Sequence, residues 1–332
     1  MKVLVTGHTG FKGSWLALML NYLGHEVFGI SLPPQPESMY NQVRLKRFLT
    51  SEKFIDILNL PTLKKAIEKL NPEIIIHLAA QPIVSKSFNS PILTFQTNVI
   101  GTLNLLKSTD CLDSVQAILI VTTDKVYKIN NLNKAYSEGD SLGGMDPYSA
   151  SKSATDIATQ SWRSSFGTKP IAIARAGNVI GGGDFANDRI IPDIVKSIKH
   201  KKRLTIRNPS AVRPWQHVLD CLNGYLMLMN AVVNHNVQSE WNFGPSPQDF
   251  RSVEELIRQF GLAWKRNIRY KTVKSDFYES QFLVLDSSKS KKLLGWDNKI
   301  NFENSIQMTV DWYKARNKTE ISLNQIQNFF EL

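Results

Sequence analysis

Two residues four positions apart, Tyr148 and Lys152, form the clearest chemical pair in the sequence. In a helix this spacing brings both side chains to one face. A lysine ammonium beside a phenol favours the phenolate, so Tyr148 can act as a base closer to neutral pH than a free tyrosine, whose pKa is about 10. A surface pair without a catalytic role has the same spacing, so the interpretation needs support from other segments.

An acid and a base stand side by side at Asp124 and Lys125, directly after Thr123. Such a pair suits an elimination, in which one group removes a proton from carbon and the other protonates the leaving oxygen. For this work Lys125 must be neutral and Asp124 protonated, and burial in a dry pocket favours both states. Direct contact would favour both charges, so we expect no tight ion pair between them in the liganded enzyme. The alternative for Lys125 is a surface lysine that follows a strand.

A glycine-rich turn lies near the N-terminus, between an apolar strand and an apolar helix. Its three glycines let the backbone turn tightly and approach a pyrophosphate, which the free amides of the helix N-terminus would bind. An ordinary glycine-rich turn is the alternative. The pattern predicts a dinucleotide site at Gly7, Thr9, Gly10, Phe11, Lys12 and Gly13.

The choice between NAD and NADP depends on the end of the second predicted strand. An acidic residue there would hold the ribose 2′-hydroxyl, and an arginine would accept a 2′-phosphate. The chain has Ser31 and Leu32 instead, and Arg44 is distant in sequence. Asp56, after the third strand, is a candidate for contact with the adenine end. NAD is favoured over NADP.

The elements that must position these residues alternate between strand and helix through the first half of the chain. Strongly apolar strands separated by helices indicate a parallel sheet covered on both faces, a doubly wound α/β fold. Strands are predicted over 3–6, 26–31, 54–57, 74–77, 116–123 and 171–175. Helices are predicted over 11–23, 61–70, 91–107 and 146–166.

Beyond Gly177 the regular alternation is lost and shorter elements are expected. We therefore predict a dinucleotide-binding domain over 1–176, with segments near 214–240 returning to it. Residues 177–332 are predicted to form mainly a smaller substrate-binding lobe over the carboxyl edge of the sheet.

Composition narrows the class of protein. The 332 residues include 42% apolar and 21% charged residues, typical of a globular chain. No apolar run is long enough for a membrane span and no secretory leader is apparent, so a cytoplasmic protein is expected. Two cysteines are too few for a disulfide framework, and no metal site is predicted. The net charge of +11 comes without a nucleic-acid-binding motif, and a phosphorylated small molecule is the favoured anionic ligand.

The glycine turn, Thr123 and the Tyr148/Lys152 pair together resemble the extended short-chain dehydrogenase/reductase family, which has a Rossmann sheet. The resemblance also uses residues 77–80 and Asn98 and covers nearly the whole chain. It implies that Tyr148 is the catalytic base, that Lys152 holds the ribose and lowers the Tyr148 pKa, and that Thr123 contacts the sugar. It further implies cofactor contacts from Asp56, Ile57, Leu78, Ala79, Ala80, Asn98, Thr122, Tyr148 and Lys152.

Within that family, the residues after the fifth strand separate two activities. Epimerases usually carry small residues such as Ser or Ala there, whereas nucleotide-sugar 4,6-dehydratases have Thr-Asp-Glu. This chain has Thr123-Asp124-Lys125, the form of the CDP-glucose branch. The blocks that agree with this branch are 7–16, 80–82, 175–184, 188–189 and 213–218. The resemblance implies an NAD-dependent hydro-lyase that converts CDP-glucose to CDP-4-dehydro-6-deoxy-glucose and water.

The chemistry follows from the sugar itself. A hexose C5–H is not acidic, but a ketone at C4 makes it so. Tyr148 takes the 4-hydroxyl proton as the nicotinamide accepts the C4 hydrogen, Lys125 removes the C5 proton, and Asp124 protonates the departing 6-hydroxyl. The C4 hydrogen then returns to C6, so the cofactor is regenerated in each turnover.

The same resemblance places the nucleotide-sugar contacts. Arginine forks suit a diphosphate, and Asn178 and Arg213 are implied at that end. A solvated surface charge is the alternative for Arg189. The substrate-binding residues are predicted to be Gln81, Asn178, Arg189 and Arg213.

The partners are also implied by the resemblance. Helices 91–107 and 146–166 are expected to form a homodimer interface, and no nucleic acid or membrane partner is expected. The product is expected to feed deoxysugars of a cell-surface polysaccharide, such as the O-antigen of lipopolysaccharide. Three alternatives stay open: another nucleotide-sugar 4,6-dehydratase, a 4-epimerase, and a nucleotide-sensing protein without catalysis.

Overall fold

The structure is a computed structural model that describes residues 1–129, 134–167, 169–235, 237–273 and 282–332. Its strands are β1 (Lys2–Thr6), β2 (Glu26–Ser31), β3 (Ser51–Phe54), β4 (Ile74–His77), β5 (Ala117–Val121), β6 (Ile171–Ala176), β7 (Val179–Ile180), β8 (Leu204–Ile206), β9 (Val212–Pro214), β10 (Gln216–His217), β11 (Glu240–Phe243), β12 (Phe250–Ser252) and β13 (Tyr270–Thr272). Its α-helices are α1 (Phe11–Tyr22), α2 (Met39–Gln42), α3 (Leu60–Leu70), α4 (Val84–Asn89), α5 (Pro91–Phe95), α6 (Gly101–Lys107), α7 (Pro147–Phe166), α8 (Ile190–His200), α9 (Val218–His235), α10 (Val253–Trp264), α11 (Ser288–Leu294), α12 (Phe302–Lys314) and α13 (Lys318–Glu331).

A seven-stranded parallel sheet forms the centre, in the order β11-β6-β5-β4-β1-β2-β3. The chain runs outward from β1 to β3, then returns to β4 on the other side of β1. The strand order therefore reverses between β1 and β4, and in open α/β sheets ligands bind at this point, beyond the carboxyl ends of the strands. The predicted doubly wound fold is confirmed.

The sheet is buried on both faces because its strands are apolar almost throughout. Residues 3–5, 74–76 and 117–121 are all buried, and two large apolar clusters cover the two faces. Such continuous apolar runs are what a parallel sheet between helix layers requires. The predicted strands at these places are therefore right in type and within two residues in extent.

Two predicted elements differ from the structure. The third strand is Ser51–Phe54, whereas the sequence predicted 54–57. This edge strand pairs only with β2 and is largely exposed, so a search for apolar residues misplaced it. The predicted helix 91–107 is interrupted by a π-helical segment, Gln96–Ile100, which carries the buried Asn98.

The second half of the chain is more regular than predicted. Helix α9 has 18 residues and packs on β5 and β6, and β11 extends the central sheet beside β6. Three small two-stranded pairings, β7 with β10, β9 with β12 and β8 with β13, lie outside that sheet. The division into two domains stays a prediction.

The last helix packs against the first. Tyr22 at the end of α1 stacks on Phe330 of α13, with ring centroids 5.7 Å apart. Thr319 Oγ1 also donates to the Val43 carbonyl at 2.9 Å. Of the helices in the described segments, none has both the length and the apolar character of a bilayer span.

Candidate active site

The carboxyl ends of four neighbouring strands bring the predicted site segments together. The glycine turn follows β1, residues 78–80 follow β4, Thr122 follows β5 and Gly177 follows β6. Backbone hydrogen bonds fix these ends: the Leu78 amide donates to the Thr6 carbonyl at 3.1 Å, and the Thr122 amide donates to the Ala174 carbonyl at 2.9 Å. The segments therefore meet at one edge of the sheet.

The glycine turn fits a dinucleotide diphosphate. Gly7 has φ +75°, and a Cβ there would lie 2.7 Å from the Ala79 amide nitrogen. A Cβ at Gly13 would collide with the Gly7 carbonyl. Helix α1 begins after Gly10, and in the described part of the chain no side chain caps its first turn. Its first amides are thus available to an anion, as a pyrophosphate site requires.

The ribose end of the turn is lined by hydroxyl groups. Thr9 Oγ1 lies 2.6 Å from Ser31 Oγ and donates to the Leu32 carbonyl at 3.1 Å. Asp56 is exposed, and its carboxylate accepts the Leu58 amide at 2.9 Å. The Ile57 side chain is buried in the core. Direct cofactor contact by Asp56 and Ile57 stays a prediction.

Helix α7 presents Tyr148 and Lys152 together, as predicted. Asp146 caps its start by accepting the Ser149 amide at 2.9 Å, and Pro147 occupies the first turn. Both side chains are buried, and Lys152 Nζ donates to the Val121 carbonyl of β5 at 3.1 Å. Helix α7 is thereby tied to the strand that precedes Thr123.

Burial dominates the titration of this pair. It raises the pKa of Tyr148 to about 12, while a hydrogen bond with Thr123 and the charge of Arg189 oppose the rise. Burial, together with the charge of Lys12, lowers the pKa of Lys152 to about 8. The sequence predicted that Lys152 lowers the Tyr148 pKa. Burial outweighs the groups that lower the Tyr148 pKa, and the effect of Lys152 on it stays a prediction.

Asp124 and Lys125 lie on a short 3₁₀ turn, Asp124–Val126, which follows β5 after Thr122 and Thr123 and is capped by Thr123. Thr123 Oγ1 donates to Asp124 Oδ1 at 2.9 Å and accepts the Lys125 amide at 3.4 Å. Asp124 is 2% exposed, and its Oδ2 is buried without a hydrogen-bond partner in the described chain. The carboxyl group is therefore not hydrogen-bonded to the Lys125 side chain, which is partly exposed.

Burial raises the pKa of Asp124, against the charge of Lys125, the Thr123 hydrogen bond and the charges of Arg213 and Lys12. This is the direction that a proton donor requires. The group with the free, buried oxygen is thus also the one whose neutral form the protein favours.

Lys12 reaches the catalytic residues from the glycine turn. Its Nζ donates to the Tyr225 hydroxyl at 3.3 Å, across 213 residues of sequence. Its charge acts on the pKa values of Asp124 and Lys152. The predicted contact of Lys12 with a cofactor stays a prediction, and the structure adds this electrostatic link to the catalytic groups.

The side chains of Asn98 and Gln81 form hydrogen bonds with other residues of the chain. Asn98 Oδ1 accepts the Gln81 amide at 2.8 Å, and its Nδ2 donates to Ser151 Oγ at 2.8 Å. Gln81 Nε2 donates to Thr94 Oγ1 at 3.0 Å, and its Oε1 accepts the Ile83 amide at 2.8 Å. In this structure both residues hold the loop after β4 against α7, and their ligand contacts stay predictions.

The predicted diphosphate residues divide into two groups. Arg213 is buried, donates to the Val212 carbonyl at 2.8 Å and lies close enough to Asp124 to act on its pKa. Arg189 Nη1 forms an ion pair with Asp184 at 3.0 Å, and its side chain is 35% exposed. Asn178 accepts the Gln216 amide through its backbone carbonyl at 3.1 Å. Arg213 therefore lies near Asp124, whereas Arg189 is held by an acidic partner.

Sequence reasoning missed two buried polar pairs. His8 Nε2 lies 3.0 Å from Glu52 Oε2, and burial lowers the pKa of this histidine. Arg175 on β6 pairs with Asp156 on α7, and both side chains are at most 1% exposed. The only sequence signal for the second pair is the position of Asp156 one helical turn after Lys152.

Comparison with known proteins identifies the family. The model described as GDP-mannose 4,6 dehydratase matches residues 4–309. A CDP-glucose 4,6-dehydratase from Salmonella typhimurium is 38% identical over 95% of this chain and 90% of its own length. A dTDP-glucose 4,6-dehydratase from Haemophilus influenzae is 28% identical over 94% of this chain and 98% of its own.

Solved structures show that the fold is shared between activities. The dTDP-glucose 4,6-dehydratase of Streptomyces venezuelae, solved with NAD and TYD bound, has a TM-score of 0.83 at 23% identity and covers 95% of this chain and 97% of its own. The UDP-glucuronic acid 4-epimerase of Bacillus cereus, solved with UDP-glucuronic acid and NAD, has a TM-score of 0.85 at 23% identity. The match covers 95% of this chain and 99% of the epimerase chain. The predicted resemblance is confirmed, and the chain belongs to the GDP-mannose 4,6 dehydratase family.

Proposed function

We propose that the chain is an NAD-dependent 4,6-dehydratase that converts CDP-glucose to CDP-4-dehydro-6-deoxy-glucose and water. The observation that carries the proposal is the turn with the buried Asp124 and the partly exposed Lys125, close to Tyr148 on α7. The 38% identity to a CDP-glucose 4,6-dehydratase supports the choice of substrate. The solved relatives with NAD support the choice of cofactor, together with the open glycine turn.

The chain's own residues prepare the sugar for elimination. NAD, when bound, supplies reversible oxidation by taking the C4 hydrogen with its electron pair and returning it to C6. Tyr148 removes the 4-hydroxyl proton, and Thr123, which lies close enough to Tyr148 to lower its pKa, contacts the same oxygen. In this proposal Lys152 binds the cofactor ribose, and its ammonium stabilises the phenolate that Tyr148 must form. The result is a ketone at C4.

Water loss follows at the neighbouring carbons. The C4 ketone makes the C5 proton acidic, and Lys125 removes that proton. Asp124 donates its proton to the 6-hydroxyl, which leaves as water while a C5–C6 double bond forms. Lys125 then returns a proton to C5 as C6 is reduced. Burial raises the pKa of Asp124, which favours the protonated acid, and its buried Oδ2 has no hydrogen-bond partner among the described residues.

The 4-epimerase is the second candidate, because an epimerase of this fold superposes as well as a dehydratase does. An epimerase needs only the oxidation at C4 and its reversal on the other face. It has no use for an acid–base pair in the turn after β5, so Asp124 and Lys125 favour the dehydratase.

A homodimer is the assembly we propose. The helical segments 91–107 and 147–166 pack on each other and expose large apolar side chains, including Ile92 (73% exposed), Ile100 (49%) and Ile157 (54%). A second copy that covers these residues would remove the patch from water. We also propose a cytoplasmic location, in keeping with two unpaired cysteines, and a deoxysugar product destined for a surface polysaccharide such as O-antigen.

The direct test is incubation of the protein with CDP-glucose and NAD, followed by the alkali-induced ultraviolet absorbance of a 4-keto sugar. Parallel reactions with UDP-, dTDP- and GDP-sugars test the choice of base. Absorbance with CDP-glucose above the other three supports the proposal. Interconversion of CDP-glucose with its C4 epimer, without a 4-keto product, would establish the epimerase instead.

A further inference from the structure

A buried arginine connects the proposed catalytic turn, residues 123–126, to helix α7. Arg175 on β6 forms a bidentate ion pair with Asp156 on α7, with Nε to Oδ2 at 2.8 Å and Nη2 to Oδ1 at 2.7 Å. The side chains are 1% and 0% exposed. A buried pair of this kind costs much of its attraction in desolvation, so stability alone is a weak reason for its presence.

The two residues that flank the catalytic turn both bind this pair. Before the turn, Thr122 Oγ1 donates to Asp156 Oδ2 at 3.2 Å, the same oxygen that accepts from Arg175 Nε. After the turn, the Tyr127 hydroxyl accepts from Arg175 Nη1 at 3.0 Å. The segment that carries Thr123, Asp124 and Lys125 is therefore held at both ends by one guanidinium and its carboxylate partner.

The link after the turn is itself well supported. The Tyr127 hydroxyl donates to Asn242 Oδ1 at 2.6 Å, and its ring lies under the guanidinium, with Arg175 Cζ 5.2 Å from the ring centroid. Arg175 Nη1 also donates to the Glu138 carbonyl at 3.2 Å. Tyr127 thus has one orientation that satisfies both its donor and its acceptor capacity.

We infer that Arg175, through Tyr127 and Asp156, is a positioning residue for the elimination step: it holds the turn so that Asp124 and Lys125 meet C6 and C5 of the sugar. This inference rests on the proposed dehydratase function. Tyr148 and Lys152 lie on α7, one to two turns before Asp156, and in the described chain neither side chain has a hydrogen bond with the Tyr127 hydroxyl. Loosening the turn at Tyr127 therefore disturbs water loss more than oxidation at C4.

Tyr127→Phe is the decisive variant, because it deletes the hydroxyl that joins Arg175 to the turn and keeps the ring. In single-turnover reactions with CDP-glucose, the rise in reduced-cofactor absorbance reports oxidation, and loss of the 6-hydroxyl, followed by mass spectrometry, reports elimination. We expect elimination to slow about tenfold while oxidation changes less than about twofold, so reduced cofactor accumulates. Solvent deuterium incorporation at C5 slows with elimination.

Two further variants separate positioning from general stability. Gln160→Ala removes a 2.8 Å hydrogen bond to Asp156 Oδ1 that does not lead to the turn, so both rates stay at wild-type values. Arg175→Lys keeps the charge opposite Asp156, but a lysine cannot bind both carboxylate oxygens and the Tyr127 hydroxyl at once. We therefore expect elimination to slow more than oxidation, as in Tyr127→Phe. If Arg175→Lys does not fold, Tyr127→Phe alone decides, since a ratio of two rates does not depend on the fraction folded.

Three results would overturn the inference. Wild-type elimination in Tyr127→Phe shows that the connection to Arg175 is not needed. An equal fall of both rates shows a structural role only. A wild-type protein that oxidises CDP-glucose without losing water refutes the proposed dehydratase itself, and the inference falls with it.

Discussion

Gly177→Ala is a small change with a selective consequence. Gly177 follows β6 and faces the catalytic turn, where a Cβ would lie 2.8 Å from Pro214 Cγ and 3.0 Å from Asp124 Oδ2. Ordinary contacts of such atoms are about 3.5 Å, so the proline ring or the carboxyl group must move by about 0.5 to 0.7 Å. If a 1 Å misplacement costs about a hundredfold in rate, a shift of half that size costs about tenfold.

The assay compares the two halves of the reaction in one sample. Rapid mixing of the NAD-loaded protein with CDP-glucose gives the rate of C4 oxidation from absorbance, and quenched samples give the rate at which the 4-keto-6-deoxy product forms. We expect product formation about tenfold slower and oxidation within about twofold of wild type. Gly139→Ala is the matched control, because a Cβ there has nothing within 4 Å.

An unchanged rate of product formation in Gly177→Ala would refute the reasoning, since it would mean that Asp124 tolerates displacement. An equal loss of oxidation and product formation would refute it too, because the defect would then not lie in the acid that serves the 6-hydroxyl.

Four other expectations follow from the same geometry. Lys125→Ala should reduce the cofactor but slow water loss at least about a hundredfold, and normal turnover would contradict its role as the base at C5. Tyr148→Phe should slow cofactor reduction by a similar factor, which stopped-flow absorbance would measure, and retention of that rate would remove Tyr148 from the first step. Ile157→Asp should convert a dimer to a monomer in analytical ultracentrifugation, and an unchanged mass would place the interface elsewhere. Burial raises the pKa of Asp220 to about 7, so the native state retains a proton that the unfolded chain releases near its ordinary value of 3.8. The free energy of unfolding should therefore fall as the pH rises from 3.8 to about 7, by up to about 1.4 kcal/mol per pH unit. Urea unfolding of Asp220→Asn at several pH values should lack this dependence.

The parts of the fold that follow from local pattern were predictable. Apolar strands at 3–6 and 74–77 predict a parallel sheet, because burial on both faces requires apolar residues throughout. The glycine turn after β1 predicts a dinucleotide site at the carboxyl edge of that sheet. The Tyr148/Lys152 pair follows from helical spacing alone. The edge strand β3 was misplaced because exposure relaxes the demand for apolar residues.

The features that depend on distant residues were not predictable. Arg175 meets Asp156 across 19 residues of sequence and Tyr127 across 48, and Lys12 meets Tyr225 across 213. No spacing rule connects such positions. The Tyr148 pKa likewise depends on how deeply the surrounding chain buries the phenol, which cannot be read from the sequence.

The contact between α1 and α13 makes the cofactor site depend on residues that never approach it. Helix α1 supplies the amides at its first turn and rests, at its last turn, on Phe330. During synthesis on the ribosome, the glycine turn is made some three hundred residues before α13, the helix on which α1 packs. A chain that ends before residue 318 keeps every group named in the reaction but lacks this support for α1, so we expect it to bind NAD less tightly than the full chain does.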